Sequence, residues 1–489
     1  MRSKISTFFK ELLLRAARPR KQVLTSVWIL LMYAVTAGCS HFGHYPVNAP
    51  LEKFTPGYGY LAQNMGPEGN SEELLLILSF SGGGTRAAAF SYGVLEELRA
   101  TEVTFDGKKR RLLDEVDMIS GVSGGSFTAA YFGLFGDRIF EDYESRFLKK
   151  NVEGDIKFNI FLNPVNWFRL SSPLFDRSDL AAEYYDKNVF DGKTYGDMLK
   201  QKGPMILINA TDMSLGIRIT FAQSFFNGIC SDLSKFPVAR ACAASSAVPG
   251  VLTPLTLKNY GGSCGYVLPP MYEASSPSYR MREMREYITL MLDSKEKPYF
   301  HLIDGGVADN LGLRAVEEAV DSVGNIWTVL QLTGREKVRK VAFIVVNAET
   351  KIESSWDKME IIPPLSAMLS NYSSIAINRY NRETMAVLQE SFDRWAYQIR
   401  SGRCPPGKIS TEPGSCGDIE FYMVDVSFGN LKDKAERDWM AKLPTSFRLS
   451  GEQVDRLRAG ARKILTESDD FKRLLRDLGA GSLSKGSLP

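Results

Sequence analysis

The sequence has 489 residues, of which 44% are hydrophobic and 24% are charged. This ordinary globular composition excludes a wholly disordered chain, a collagen-like repeat and a coiled-coil rod, and a single long apolar run excludes a multi-span membrane protein. The formal net charge is +3, but residues 1–38 alone contribute +6, so the remaining chain is near −3. Without a surplus of lysine and arginine, that remainder is not expected to bind nucleic acid.

The first 38 residues have the layout of an export signal. Basic residues precede an apolar run from Val23 to Val35, which as a helix would span about 20 Å, short of the ~30 Å hydrocarbon core. The next four residues, Thr-Ala-Gly-Cys, resemble the cleavage motif of bacterial lipoproteins, which predicts a signal peptide over 1–38 and a lipidated Cys39. Ser40 then favours the outer membrane if the cell is Gram-negative. An uncleaved signal anchor and a buried apolar helix are the alternatives.

Apolar runs and helical spacings alternate from residue 73 onward. Strands are predicted at 73–80, 116–120, 204–210, 217–222, 299–303 and 341–346, and helices at about 86–100, 177–189, 236–246, 313–321, 361–398 and 451–478. This alternation predicts an α/β fold with a mainly parallel sheet that helices cover on both faces.

Composition shifts divide the chain. Residues 39–72, rich in Pro, Gly, Asn and Tyr, are expected to be a tether. The main domain is expected at 73–350, with an insertion at about 259–297 where the alternation is interrupted. An extension of helices and strands at 351–480 is expected to pack on it, and a tail follows at 481–489.

Two glycine-rich turns each follow a predicted strand and precede a helical pattern. In Ser81–Arg86, three glycines let the backbone turn tightly and direct N–H groups into one concavity, which suits a phosphate or a developing oxyanion. In Gly121–Gly125, the sequence Gly-Val-Ser-Gly-Gly has the form of a nucleophile elbow, which presents Ser123 at a strand end. Taken singly, a tight turn without function and a chance match are the alternatives.

A serine nucleophile needs a general base, and the chain has only three histidines, His41, His44 and His301. The first two fall in the predicted tether. His301 lies three residues before Asp304 on the same predicted strand, so we expect it to point to the other side and pack in the core. Asp304 opens an Asp-Gly-Gly turn at the end of that strand and is the remaining candidate base, with a plain turn residue as the alternative.

The cysteines favour a disulfide over a metal site. No C-x-x-C spacing occurs, so we expect no metal. Cys404 and Cys416 flank a loop rich in Pro and Gly, and an exported protein is expected to join them. Cys242 lies in a run of small residues and is expected to be buried.

Together these motifs resemble the patatin-like phospholipase family over residues 74–347. The resemblance is carried by four blocks in order, Gly82-Gly83-Gly84-Thr85-Arg86, Gly121 to Gly125, Ala244 to Pro249, and Asp304-Gly305-Gly306 with Asn310. It implies a three-layer α/β/α sandwich, no cofactor, and a Ser–Asp dyad in which Ser123 is acylated and Asp304 is the base. It also implies an oxyanion hole drawn from Gly82, Gly83, Gly84 and Gly124. For Arg86 it leaves two roles open, contact with a lipid phosphate or support of the glycine loop.

The resemblance further implies hydrolysis of fatty-acyl esters of phospholipids or lysophospholipids at a membrane surface. An acyltransferase that uses the same acyl-enzyme and a non-catalytic lipid-binding or scaffold lipoprotein remain the alternatives. For the segment 158–175, rich in Phe and Leu and bearing one charge, a lid or a membrane-contacting flap is a hypothesis, and buried core under a long loop is the commoner outcome for such a run.

Overall fold

The computed structural model describes residues 48–67, 69–105, 107–248, 251–268, 279–350, 358, 360, 362 and 364–479. The predicted signal peptide, Cys39, the two tether histidines and the tail at 481–489 lie outside the described residues. Of the helices in the described part of the chain, none is both long enough and apolar enough to cross a bilayer.

An eight-stranded sheet forms the centre of the molecule, in the order β10-β9-β1-β4-β5-β8-β7, with β6 paired to β5 beside this path. The strands are β1 (Leu74–Phe80), β2 (Glu102–Phe105), β3 (Lys108–Arg111), β4 (Val116–Val122), β5 (Met205–Asp212), β6 (Arg218–Thr220), β7 (Leu255–Lys258), β8 (Tyr299–Asp304), β9 (Lys340–Asn347) and β10 (Glu420–Ser427). From β10 to β5 all neighbours are parallel. β6 and β8 run antiparallel to β5, β7 runs antiparallel to β8, and β2 and β3 form a separate hairpin.

Helices cover both faces of this sheet. They are α1 (Gly84–Ala100), α2 (Gly124–Phe135), α3 (Ile139–Tyr143), α4 (Val152–Phe161), α5 (Pro164–Leu170), α6 (Arg177–Asn188), α7 (Tyr195–Lys200), α8 (Gln223–Gly228), α9 (Val238–Ser245), α10 (Tyr279–Leu292), α11 (Gly306–Asp309), α12 (Arg314–Val323), α13 (Ile326–Leu332), α14 (Leu365–Arg403), α15 (Lys434–Ala441), α16 (Gly451–Glu467) and α17 (Asp469–Asp477). The fold is therefore a mixed α/β fold with a mainly parallel central sheet, as predicted.

The two layers separate along β1 because successive strand residues point to opposite faces. Leu76 and Leu78 join the buried side chains of α1, α2 and α16 in one core cluster. Ile77, between them, joins those of α12, α13 and α14 in a second cluster. A strand buried on both faces explains the continuous apolar run at 73–80.

The structure has strands and helices that the sequence did not predict, and three of the differences concern the central sheet and the C-terminal helices. β10, in the predicted extension, pairs with β9 along its whole length, so the extension completes the central sheet. β7 was not predicted, and with β8 it forms an antiparallel pair that brackets the predicted insertion and α10. The helix predicted at 451–478 is two helices, because the Ser468 hydroxyl caps the N–H of Phe471 and starts α17.

Two disulfides occur among the described residues. One joins Cys404 and Cys416, and the other joins Cys230 and Cys264, whose Cα atoms are 5.5 Å apart. The second was not predicted, because its cysteines are 34 positions apart and nothing local in the sequence pairs them. Cys242 is free and buried.

Replacing both Cys230 and Cys264 with serine is expected to lower the free energy of unfolding by about 3–4 kcal/mol, because the unfolded chain regains the entropy of an open loop. Chemical denaturation with and without a reducing agent measures the effect. The difference between wild type and variant should vanish under reduction, and a difference that persists would assign the loss to packing around the serines instead.

Candidate active site

Ser123 occupies a strained turn between β4 and α2. Its backbone φ is +47° with ψ −121°, a conformation that residues with a side chain rarely adopt. The turn is held from both sides. The Ser123 N–H donates to Ser245 Oγ at 2.8 Å, and the Ser123 carbonyl accepts from the N–H and the hydroxyl of Ser126 at 3.0 and 2.6 Å. A strained turn that the surroundings fix in this way presents a serine hydroxyl at the end of a strand, as a nucleophile elbow does.

Asp304 ends β8 next to this turn. Its carboxylate accepts a hydrogen bond from the N–H of Gly306 at 2.7 Å, and the Ser123 hydroxyl lies close enough to act on its pKa. Burial raises the pKa of Asp304 to about 6, although the Gly306 N–H and the Ser123 hydroxyl both act to lower it. The structure thus brings the two predicted dyad residues into contact, and gives the acid a basicity suited to proton transfer near neutral pH.

His301 is not part of this site. It lies on β8 on the side away from Asp304, and its Nδ1 is 3.0 Å from Thr256 Oγ1. The side chain is exposed, so the expectation of a core histidine was wrong. The reason is that this face of the β7–β8 pair is open to solvent at His301.

The glycine loop after β1 and the elbow after β4 contact each other backbone to backbone. A Cβ on Gly124 would lie 1.9 Å from the carbonyl oxygen of Gly84, and one on Gly125 would lie 2.6 Å from those of Phe80 and Ser81. A side chain at either position would therefore separate the two turns. This close approach places the loop over the elbow, so that a Cβ on Gly82 would lie 3.3 Å from the Cβ of Ser123.

Some N–H groups of the glycine loop and the elbow donate hydrogen bonds within the protein, and others do not. Gly82 donates to the carbonyl of Asn310 at 3.1 Å, so the prediction of Gly82 as an oxyanion donor was wrong. Its role is to join the loop to the turn that follows Asp304. Within the described residues, the N–H groups of Gly83, Gly84 and Gly124 have no hydrogen-bond acceptor. Gly84 and Gly124 each begin a helix, where the first N–H groups have no intrahelical partner and the helix dipole favours an anion.

A family model matches this part of the chain. Residues 78–316 match the model described as patatin-like phospholipase, and this range contains both turns and Asp304. Residues 78–316 are therefore similar to the patatin-like phospholipase domain. A search of curated proteins found no match.

Solved structures with which most of this chain aligns include human GIVD cytosolic phospholipase A2, at 12% identity and a TM-score of 0.43, covering 83% of this chain and 62% of that one. The same human enzyme in complex with methyl gamma-linolenyl fluorophosphonate matches at 14% identity and 0.37, covering 83% and 59%. The type III effector protein ExoU matches at 13% identity and 0.20, covering 85% and 77%. The chain thus spans about three fifths of the length of the human enzyme.

Arg86 supports the glycine loop from the side away from Ser123. Its Nε donates to Ala348 O at 2.9 Å, its Nη1 to Leu443 O at 2.6 Å and its Nη2 to Thr445 Oγ1 at 3.0 Å. The side chain is 2% exposed, and burial lowers its pKa to about 10. These contacts fit the loop-support interpretation, whereas the burial leaves no path to a lipid phosphate.

Two contributors to the site were not predicted. Ser245 accepts from Ser123 through its hydroxyl, and its own carbonyl accepts the N–H of Gly305 at 3.1 Å, so it is bonded to both turns of the dyad. Its position in the Ala244–Pro249 block was the available signal. Ser446 comes from the extension, and its carbonyl accepts the N–H of Thr85 at 2.9 Å. Nothing in the sequence around it indicated this contact.

Proposed function

We propose that this protein is a serine acyl hydrolase that cleaves fatty-acyl esters of phospholipids or lysophospholipids. The observation that carries the proposal is the strained Ser123 turn beside the buried Asp304 carboxylate, whose pKa burial raises to about 6. A carboxylate of that basicity deprotonates a serine as it attacks, which an ordinary aspartate does poorly. The similarity to the patatin-like phospholipase domain supports a lipid ester as the substrate.

In the first step Ser123 Oγ attacks the ester carbonyl carbon while Asp304 takes the hydroxyl proton. The N–H groups of Gly83, Gly84 and Gly124 bind the oxyanion of the tetrahedral intermediate. The carbon–oxygen bond to the alcohol then breaks, and Asp304 returns the proton to the departing lysolipid. In the second step Asp304 takes a proton from water, whose oxygen attacks the acyl-enzyme. The fatty acid leaves and Ser123 recovers its proton.

We also propose that the protein is exported and anchored to a membrane through lipidated Cys39. The export signal at 1–38 and the adjacent lipobox-like motif support this location. Two disulfides in the described part of the chain are further support, since such bonds persist in oxidising compartments. Mass spectrometry of the mature N-terminus tests it, because a diacylglyceryl cysteine at position 39 is the expected product.

Labelling with a fluorophosphonate lipid analogue tests the proposed chemistry. We expect one adduct on Ser123 by peptide mass spectrometry and none in Ser123→Ala. Ser91→Ala is the matched control, because Ser91 is a buried helix serine whose hydroxyl has no partner among the described residues. Loss of labelling in that control as well, or labelling of Ser123→Ala at the wild-type rate, would contradict the dyad. A wild type that never labels favours a lipid-binding scaffold, and transfer of the acyl group to an added alcohol identifies an acyltransferase.

A further inference from the structure

The segment that follows α3 exposes a group of large apolar side chains. Helices α4 and α5 and the turn that follows, here called the apolar hairpin (residues 152–174), pack on the domain through the buried Ile156 and Ile160. The outward side chains, each more than half exposed, are Phe158, Phe161, Leu162, Val165, Trp167, Phe168 and Leu174. The buried-core alternative for this segment was therefore wrong. A contiguous exposed apolar group of this kind indicates a contact surface.

The first end of the apolar hairpin lies beside the glycine loop. The N–H of Glu153, in the first turn of α4, donates to the carbonyl of Phe447 at 3.2 Å. The neighbouring carbonyl of Ser446 accepts from Thr85, in the first turn of α1. The start of the hairpin and the glycine loop that covers Ser123 are therefore hydrogen-bonded to two neighbouring residues, Phe447 and Ser446.

The other end of the apolar hairpin lies on the Asp304 side of the site. The N–H of Ser178, in the first turn of α6, is bonded to Thr253 Oγ1 at 3.3 Å. Thr253 lies two residues before Leu255, which pairs with Leu302 on β8. Since Leu302 precedes Asp304 by two residues, both ends of the hairpin flank the dyad at the same end of the sheet.

The described chain also begins at this end. The Asn48 side chain donates to the carbonyl of Lys258 at 2.7 Å, and Lys258 pairs with Tyr299 at the start of β8. β8 runs from Tyr299 to Asp304 against the direction of β5, so Tyr299 lies beyond the dyad, about 16 Å further out along the strand. The chain therefore joins the domain at Asn48, at the end of the sheet that bears the dyad and further out than the dyad itself.

The prediction of a tether over 39–72 was wrong from Asn48 onward, because Leu51 and Tyr60 are buried against the domain. The tether is therefore the stretch before Asn48, and its length limits how far this end can be from a membrane. Eight residues lie between Cys39 and Asn48, and a fully extended chain over that stretch spans about 30 Å. A lipid on Cys39, as the sequence predicts, keeps Asn48 within that distance of the bilayer. The start of β1, at the opposite end of the sheet, lies about 20 Å from the dyad. Measured along the strands it is therefore about 36 Å from Asn48, which is further than the tether of about 30 Å can reach.

We propose that the end of the sheet bearing Ser123 and Asp304 is the surface by which this protein rests on a lipid bilayer, with the apolar hairpin inserted in the interface and the tether entering beside it. This inference rests on the proposed function. Apolar helices that lie in the interface insert by about 5–10 Å, so that the end of the sheet bearing the dyad would face the acyl ester groups. The substrate then reaches Ser123 without leaving the membrane.

Depth-dependent quenching of a single fluorophore tests the orientation. The full-length chain carrying Ser123→Ala, which leaves the lipid intact, is reconstituted in phosphatidylethanolamine–phosphatidylglycerol vesicles that contain doxyl-labelled lipid. A dye is attached at Leu162→Cys or, as the control, at Leu332→Cys. Leu332 is a similarly exposed leucine that ends α13, close to the start of β9 at the opposite end of the sheet. We expect quenching at position 162 and none at position 332.

A second measurement uses the matched charge substitutions Leu162→Glu and Leu332→Glu in the active enzyme. The ratio of turnover on vesicle lipid to turnover on a soluble short-chain ester is expected to fall about tenfold or more in the first variant and to hold in the second. An unquenched dye at position 162 overturns the proposed orientation. Energy transfer between dyes on the hairpins of different molecules, growing with protein density, also overturns it, because it shows that the hairpin contacts a second copy of this chain. Fluorophosphonate labelling of the wild type, measured separately, shows whether the proposed function itself has failed.

Discussion

Replacing Asp304 with asparagine is expected to lower kcat for ester hydrolysis by roughly a thousandfold, because the amide keeps the shape of the carboxylate and cannot accept the Ser123 proton. Steady-state turnover of a soluble ester measures the effect. Wild-type kcat is expected to rise with pH through an apparent pKa near 6, the value that burial gives Asp304, and to level off above it. The residual rate of the variant should lack that rise.

The same substitution is expected to stabilise the fold above pH 6. The pKa of Asp304 is about 6 in the folded protein, against an ordinary value of 3.8, so the folded state binds this proton more tightly than the unfolded state. The contribution of this group to stability is therefore unfavourable above pH 6. It improves as the pH falls through 6 towards 4, by an amount on the order of 3 kcal/mol. The asparagine variant carries no such charge, so its stability should exceed that of the wild type above pH 6, in denaturation curves measured across that range.

Asp117→Asn is the control for this pair of effects. Asp117 is also buried, and burial raises its pKa to about 6, but it lies at the start of β4, about 20 Å from Ser123. Its carboxylate is paired with Arg335, with 2.6 Å between Oδ1 and Nη2. We expect this variant to keep kcat and its pH dependence, because the Asp117 carboxylate lies far from the dyad. Equal losses of kcat in the two variants would mean that Asp304 acts only through the fold.

The sequence predicted that Ser123 and Asp304 meet because each ends an apolar strand, but this reason holds only for parallel strands and β8 runs antiparallel to β5. The two residues meet because Asp304 pairs with Ala210 on β5, whose neighbour Asn209 pairs with Val122, the residue before Ser123. Local motifs also indicate which backbone turns are tight. They do not indicate where each N–H is directed. Gly82 looked equivalent to Gly83 and Gly84 in sequence, yet its N–H is taken by Asn310, 228 residues further along the chain.

Contacts from the extension were also beyond the reach of the sequence. Ser446 contacts the glycine loop, and Leu443 and Thr445 receive the Arg86 guanidinium. Such pairings depend on how distant elements pack, and single residues in a loop carry no periodic signal for them. The apolar hairpin shows the same limit, since its composition was visible and its exposure became known only once the buried face of α4 was identified.

Replacing Ser245 is expected to have the second largest effect on kcat, because this residue positions the dyad. Its hydroxyl accepts the Ser123 N–H at 2.8 Å and donates to the Asn209 carbonyl at 2.6 Å, and its carbonyl accepts the Gly305 N–H next to Asp304. Ser245→Ala leaves a buried donor and a buried acceptor unpaired, each worth about 1–3 kcal/mol. It also releases the strained turn that directs Ser123 Oγ towards Asp304. We expect kcat to fall by about 10- to 100-fold, because small errors in the geometry of attack are costly.

The adjacent Ser246 separates positioning from the loss of a buried hydroxyl. Its hydroxyl donates to the carbonyl of Cys242 at 2.8 Å, and that carbonyl keeps the bond from the N–H of Ser246 when the hydroxyl is removed. Ser246→Ala is therefore expected to leave kcat within about twofold of wild type. In Ser245→Ala we expect KM and the apparent pKa near 6 to be unchanged while kcat and the rate of fluorophosphonate labelling fall together, because Asp304 keeps its burial and only the direction of the nucleophile changes. A fall in kcat of similar size in both alanine variants, or a shifted pH profile in Ser245→Ala, would show that Ser245 acts through the stability of the core or through Asp304.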